Sequence, residues 1–158
     1  MSLSHFDEKS GIVPHQTEWG QWWQTIEEIH IEINKFKNLK SKDVNTIFSP
    51  TNIKCIIQNE TVIEGQLFQT VHADEIVWTI EDQGSLLSII LPKADYNKKE
   101  KVWEALMADK RYQPDLFTLQ EMRKKLDLEN FQIENPGFDF SRAELKKCYD
   151  NISDSNKK

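Results

Sequence analysis

The sequence predicts an all-β fold: an antiparallel β-sandwich of about seven strands with a C-terminal helical extension. Three observations carry this. Between Trp22 and Leu91, apolar residues recur at every second position in short runs, the pattern of strands with one buried face. Clusters of Asn, Asp, Gly, Pro and Ser interrupt the runs, as an antiparallel meander requires. Beyond Lys93 the apolar spacing lengthens to three and four residues, which suits a helix.

The elements follow in order. Residues 1–18 are polar without a sustained period and read as a flexible arm. Residues 19–93 hold the sandwich. A strand begins near Trp22, and Ile29, Ile31 and Ile33 then alternate with His30, Glu32 and Asn34. Val44, Thr46 and Phe48 give a weaker strand, closed by Ser49-Pro50-Thr51-Asn52 before Ile53, Cys55 and Ile57 alternate again. Asn59-Glu60-Thr61 turns the chain into Val62 to Phe68. Ile76, Trp78 and Ile80 share one face, and Asp82-Gln83-Gly84-Ser85 supplies a hairpin turn. Leu86 to Leu91 is nearly continuous apolar sequence, expected of a strand covered on both sides, and Pro92 ends it.

Residues 94–134 form the helical extension. Asn97 and Glu100 make a capping box, with Val102, Trp103, Leu106 and Met107 on one helical face. A second helix starts near Pro114, with a stripe of Leu116, Leu119, Met122 and Leu126. Asn135-Pro136-Gly137 stops it. Residues 135–152 form a separate C-terminal segment, and 153–158 a disordered polar tail.

Composition narrows the function. A chain of 158 residues, 38% hydrophobic, is long enough for one domain with an ordinary core. Its net charge of −6 argues against a nucleic-acid partner. No window is apolar enough for a signal peptide or a membrane span, so a cytoplasmic protein without a membrane partner is expected. Cys55 reads as a small core residue and Cys148 as an exposed free thiol; their spacing suggests no metal site.

Chemistry-bearing groups are sparse. Asp74-Glu75 and Glu81-Asp82 are tight carboxylate pairs, but neighbours along a strand point to opposite faces and cannot converge on one substrate. His5, His15, His30 and His72 show no metal-ligand spacing, and no nucleophile motif or Gly-rich phosphate loop occurs. No catalytic residue, metal or cofactor is therefore expected, and the chain reads as a non-enzyme. Trp78 reads as core and Trp103 as the anchor of a helix on the sandwich. Trp19, Trp22 and Trp23 are too close for one strand to bury all three, so at least one should face a partner. Phe138 and Phe140, one residue apart, should dock together, either on their own sandwich or on a partner. The candidate partner-binding residues are therefore Trp19, Trp22, Trp23, Phe138 and Phe140. Lys35, Lys37, Lys40 and Lys42 form a basic cluster that reads first as a solvated loop.

Two stretches carry a family resemblance. Gly20-Gln21-Trp22-Trp23-Gln24-Thr25 runs into Ile29 to Ile33; Gly65-Gln66-Leu67-Phe68 is followed by Ala73 to Asp82 and by Leu86 to Lys93. Their order resembles the CS domain of the NudC nuclear-movement proteins and of small co-chaperones. Glu134-Asn135-Pro136-Gly137-Phe138-Asp139-Phe140-Ser141 resembles the short NudC branch. The resemblance implies a co-chaperone and adaptor, a monomer or homodimer with protein partners only. Those it implies are the heat-shock-90 chaperone and WD-repeat clients such as the lissencephaly protein of the dynein pathway. It also implies cytoplasmic localisation with cytoskeletal or centrosomal association. His72 and the lysine-rich loop depart from the family, which carries an aliphatic residue and a Pro- and Gly-containing turn at those points. Two other readings share the architecture: an autonomous holdase of small-heat-shock type, and a lectin-like sandwich with exposed coplanar tryptophans.

Overall fold

A computed structural model describes residues 12–94 and 102–135. The alternating isoleucines of β3 (Glu28–Ile33) and the alternating leucines and isoleucine of β8 (Leu86–Pro92) pair antiparallel, with Ile31 opposite Ile89. This pair is the centre of a five-stranded sheet. β2 (Gly20–Gln24) and β1 (His15–Gln16) extend it on one side and β7 (Val77–Glu81) on the other, in the order β1-β2-β3-β8-β7. A three-stranded sheet of β4 (Val44–Phe48), β5 (Asn52–Ile57) and β6 (Glu60–Gln66) faces it. Both sheets send alternate side chains inward, as a period of two dictates. Ile29, Ile31, Ile33, Leu87, Ile89 and Leu91 meet Ile53, Cys55, Ile57 and Ile63 in one core. Burial pushes the Cys55 thiol up to about 12, which fits a small inert core residue.

The turns have local causes. Gln58 and Asn59 adopt positive φ (50° and 67°) between Ile57 and Glu60, a two-residue hairpin of the kind that matches strand twist. Ser49 Oγ accepts the Asn52 N–H at 3.0 Å and closes the β4–β5 turn.

All seven expected strands are present, and several expectations need correction. The arm thought flexible through residue 18 is partly built into the sandwich: Val13 is buried, and β1 pairs with β2, His15 opposite Trp22. A two-residue strand leaves no periodic signal in a sequence. The strand from Leu86 is covered on one side only, since just Leu87, Ile89 and Leu91 are buried. Trp78 faces the core in phase with Ile76 and Ile80, yet all three are only partly buried because β7 is an edge strand.

The fourth correction concerns the helix expected around Val102 to Met107. Val102, Trp103, Leu106 and Met107 are buried, but this stretch is not helical. Its backbone pairs elsewhere: Phe68 N–H donates to the Leu106 carbonyl at 3.0 Å and Ala108 N–H to the Gln66 carbonyl at 2.8 Å. Those tertiary bonds override a helical spacing only two turns long. Asn97 and Glu100 lie outside the described residues.

α1 (Leu116–Glu134) follows, capped by Asp115, whose side chain accepts the Thr118 N–H at 2.7 Å. Pro114 sits just before this cap. Met122 and Leu126 are buried and Leu119 partly so, whereas Leu116, expected in the same stripe, is exposed. The helix docks beside the β2–β3 turn: Leu126 clusters with Ile26 and Val102, and Glu129 Oε1 accepts the Ile26 N–H at 2.9 Å.

Candidate functional site

The tryptophan cluster divides by strand phase. Along β2, Gly20, Trp22 and Gln24 point inward, while Gln21 and Trp23 point outward. Trp22 is 0% exposed, and its indole N–H donates to the Tyr112 carbonyl at 3.0 Å. Trp19 is 1% exposed and meets the Tyr112 ring edge-on at 5.3 Å. Trp19 and Trp22 are thus core residues, not partner contacts. One strand does not bury all three tryptophans: the segment carrying Tyr112 closes over Trp19 and Trp22 and leaves Trp23 outside the core. Phe138 and Phe140 lie outside the described residues.

Among the described candidates, Trp23 remains on the surface, half-buried on the outward face of the five-stranded sheet. Its ring stacks on His30 with centroids 5.1 Å apart and planes 9° from parallel. The register extends this pair into a row across four strands. Trp23 lies opposite His30, His30 opposite Ile90, and Ile90 opposite Val77, which is 54% exposed. Such cross-strand neighbours sit close enough to form one continuous surface.

A polar row runs beside it: Gln16, Gln21, Glu32, Ser88 and Thr79. Gln16 Nε2 donates to Gln21 Oε1 at 2.7 Å, and Gln21 Nε2 to Glu32 Oε1 at 2.9 Å. His30 Nε2 lies 2.9 Å from Glu28 Oε1, and Thr79 Oγ1 donates to Glu81 Oε2 at 2.8 Å. Glu28, Glu32 and Glu81 therefore rim an aromatic and aliphatic row, and no outward residue of these five strands is Lys or Arg. The face can bind by apolar contact with acidic selection. His30, Ile90 and Val77 were not expected as site residues. Their signal was their phase opposite the buried set, but only the strand register shows that they adjoin Trp23.

Asp74 and Glu75 sit exposed in a single 3-10 turn. Among the described residues no group of His, Cys, Asp and Glu is placed to share a metal ion. The lectin-like reading loses its support: Trp19, Trp22 and Trp103 are buried, and Trp23 is stacked against its own chain.

Comparison with known proteins fits this architecture. The CS domain family model matches residues 18–93. NudC domain-containing protein 2 of Homo sapiens is 37% identical over 144 residues, spanning 91% of this chain and 90% of that protein. The nuclear movement protein nudC of Dictyostelium discoideum is 26% identical over 157 residues, spanning 78% of this chain and 91% of that one. The solution structure of the CS domain of human KIAA1068 protein superposes with a TM-score of 0.53 at 18% identity, covering 65% of this chain and 82% of that domain, a likeness of fold.

Proposed function

The chain belongs to the CS-domain family of NudC proteins, and from that premise we propose that it is a non-enzymatic co-chaperone and adaptor. In this reading it associates with the heat-shock-90 chaperone machinery in the cytoplasm. It supports WD-repeat clients of the dynein pathway, the lissencephaly protein among them, and through them nuclear movement. The observation that carries the reading is the extent of the likeness to NudC domain-containing protein 2, which spans 91% of the chain and so takes in more than the sandwich alone. The outward face around Trp23 supports it: a rigid sheet presents an aromatic row to a partner, and a preformed surface loses little entropy on binding.

The test is two-part. Purified heat-shock-90 chaperone is titrated calorimetrically with the full chain and with Trp23→Ala, and the full chain is used to capture proteins from a cell lysate. Saturable chaperone binding together with WD-repeat proteins in the capture supports the reading. Absence of both overturns it. Suppression of aggregation of a heated test protein without chaperone would favour the autonomous-holdase reading instead.

A further inference from the structure

We propose that the loop from β3 to β4, residues 34–43, is a second docking site that takes a short acidic peptide segment of a partner protein. The loop carries Lys35, Lys37, Lys40 and Lys42, all exposed. It is not a loose solvated loop. Phe36 and Leu39 alternate with the lysines and plug into the main core at 9% and 5% exposure. Between them Asn38 turns the chain with φ 57°. Leu39 N–H donates to the Gly84 carbonyl at 2.9 Å, tying the loop to the β7–β8 turn. The contact is close: a Cβ on Gly84, whose φ is +91°, would lie 2.7 Å from Leu39 N and 3.0 Å from the Asn38 carbonyl carbon. Only glycine allows the two backbones to approach in this way.

The loop's own carboxylate is occupied internally. Asp43 Oδ2 accepts the Lys40 N–H at 3.0 Å, fixing the turn from Ser41 to Asp43. Lys35 is paired with Glu60. Lys37, Lys40 and Lys42 make no ion pair with any described residue. Their ammonium groups are therefore presented from a backbone already held in place, which lowers the ordering cost of binding an anion. The supporting β7–β8 turn adds Glu81 and Asp82, so with Glu60 taken up by Lys35 and Asp43 by the loop backbone, the three unpaired lysines stand against these two carboxylates.

The remainder of the molecule selects the occupant. Net charge is −6, and the outward sheet face carries Glu28 and Glu32. A long nucleic acid or an anionic bilayer would have to lie along that acidic remainder. A short acidic peptide does not, because charges beyond a screening length of about 8 Å at physiological salt scarcely act on it. The site is of opposite sign to the Trp23 face and stands independently of the chaperone reading, so one chain could hold two partners of different charge.

The experiment uses the full chain and the triple variant Lys37→Gln, Lys40→Gln, Lys42→Gln, with a fluorescein-labelled hexaglutamate peptide followed by anisotropy. Saturable binding is expected, weakening at least about tenfold from about 50 mM to about 300 mM salt. The triple variant should bind at least about fivefold more weakly with an unchanged melting temperature, as exposed substitutions are usually tolerated. Trp23→Ala should bind the peptide like the parent chain. Equal binding by the triple variant, or no binding at the lower salt, overturns the proposal. So does tighter binding of a single-stranded oligonucleotide or of phosphatidylserine vesicles than of the peptide.

Discussion

The side chain of Gln24 is hydrogen-bonded to both backbone groups of Trp103. Its Nε2 donates to the Trp103 carbonyl and its Oε1 accepts the Trp103 N–H, each at 2.9 Å. A primary amide here stands in for a strand backbone, holding the segment after the sandwich against β2. The same Oε1 accepts from Lys93 Nζ at 3.1 Å. Gln24→Leu would leave these buried groups without that partner while preserving volume. It is expected to cost about 2–4 kcal/mol, because unpaired buried polar groups lose their full desolvation energy. Urea unfolding checks this; a change below about 0.5 kcal/mol would show that the clamp is dispensable.

Lys93 makes stability depend on pH. Burial lowers its ammonium to about 7, with Glu129 opposing the shift. In the unfolded chain the group has its ordinary value of 10.5. Between these values the unfolded chain holds the extra proton, so Lys93 contributes a stability that rises with pH from about 7 towards 10. Below that window the folded state bears the cost of a buried charge. Lys93→Met should remove this slope, so the parent-minus-variant difference in unfolding free energy should rise with pH by a few kcal/mol at most. A difference flat between pH 7 and pH 9.5 would contradict the assignment.

Gly20 is required where β2 begins. Its φ is +154°, and a Cβ there would fall on the Glu32 carbonyl oxygen of the neighbouring strand. Thr17 holds the same residue from the other side, its Oγ1 accepting the Gly20 N–H at 3.1 Å. Gly20→Ala is expected to destabilise by about 2–4 kcal/mol through overpacking and backbone strain. A thermal melt within about 2 °C of the parent would refute this.

Trp22 and Trp23, adjacent in sequence, should behave oppositely on mutation. Trp22→Ala removes a fully buried ring and is expected to cost about 3–5 kcal/mol. Trp23→Ala loses a stacking contact with His30 and should cost about 1 kcal/mol. Partner affinity, measured on folded protein, should fall at least about tenfold for Trp23→Ala if the outward face is a contact centre. Equal stability losses for the two variants would remove the basis for treating Trp23 as a surface residue.

Strand positions were legible because a sandwich imposes a period of two wherever one face is buried. Ile29, Ile31 and Ile33 show it directly, and Ile53, Cys55 and Ile57 repeat it on the opposing sheet. Pro114 and the stripe of Leu119, Met122 and Leu126 made the helix readable within a few residues, while the cap itself, Asp115, came from the structure. The stretch from Val102 to Met107 was misread for an equally physical reason. Its apolar residues are spaced for a helix, but that spacing reports which residues are buried and not how the backbone is satisfied.

What the sequence by itself determined is the fold class, seven of the eight strands, the core alternation and, through the spacing of its motifs, the family. These are local or periodic properties, written wherever a side chain must alternate between oil and water. Only the tertiary structure decided which tryptophans are surface, because the burial of Trp19 and Trp22 depends on Tyr112, some ninety residues away along the chain. It alone placed His30, Ile90 and Val77 beside Trp23, and it alone showed the lysine loop tied down by Gly84. Each of these is a contact between distant segments, and strand register and loop closure are set by the whole packed sandwich rather than by any window of residues.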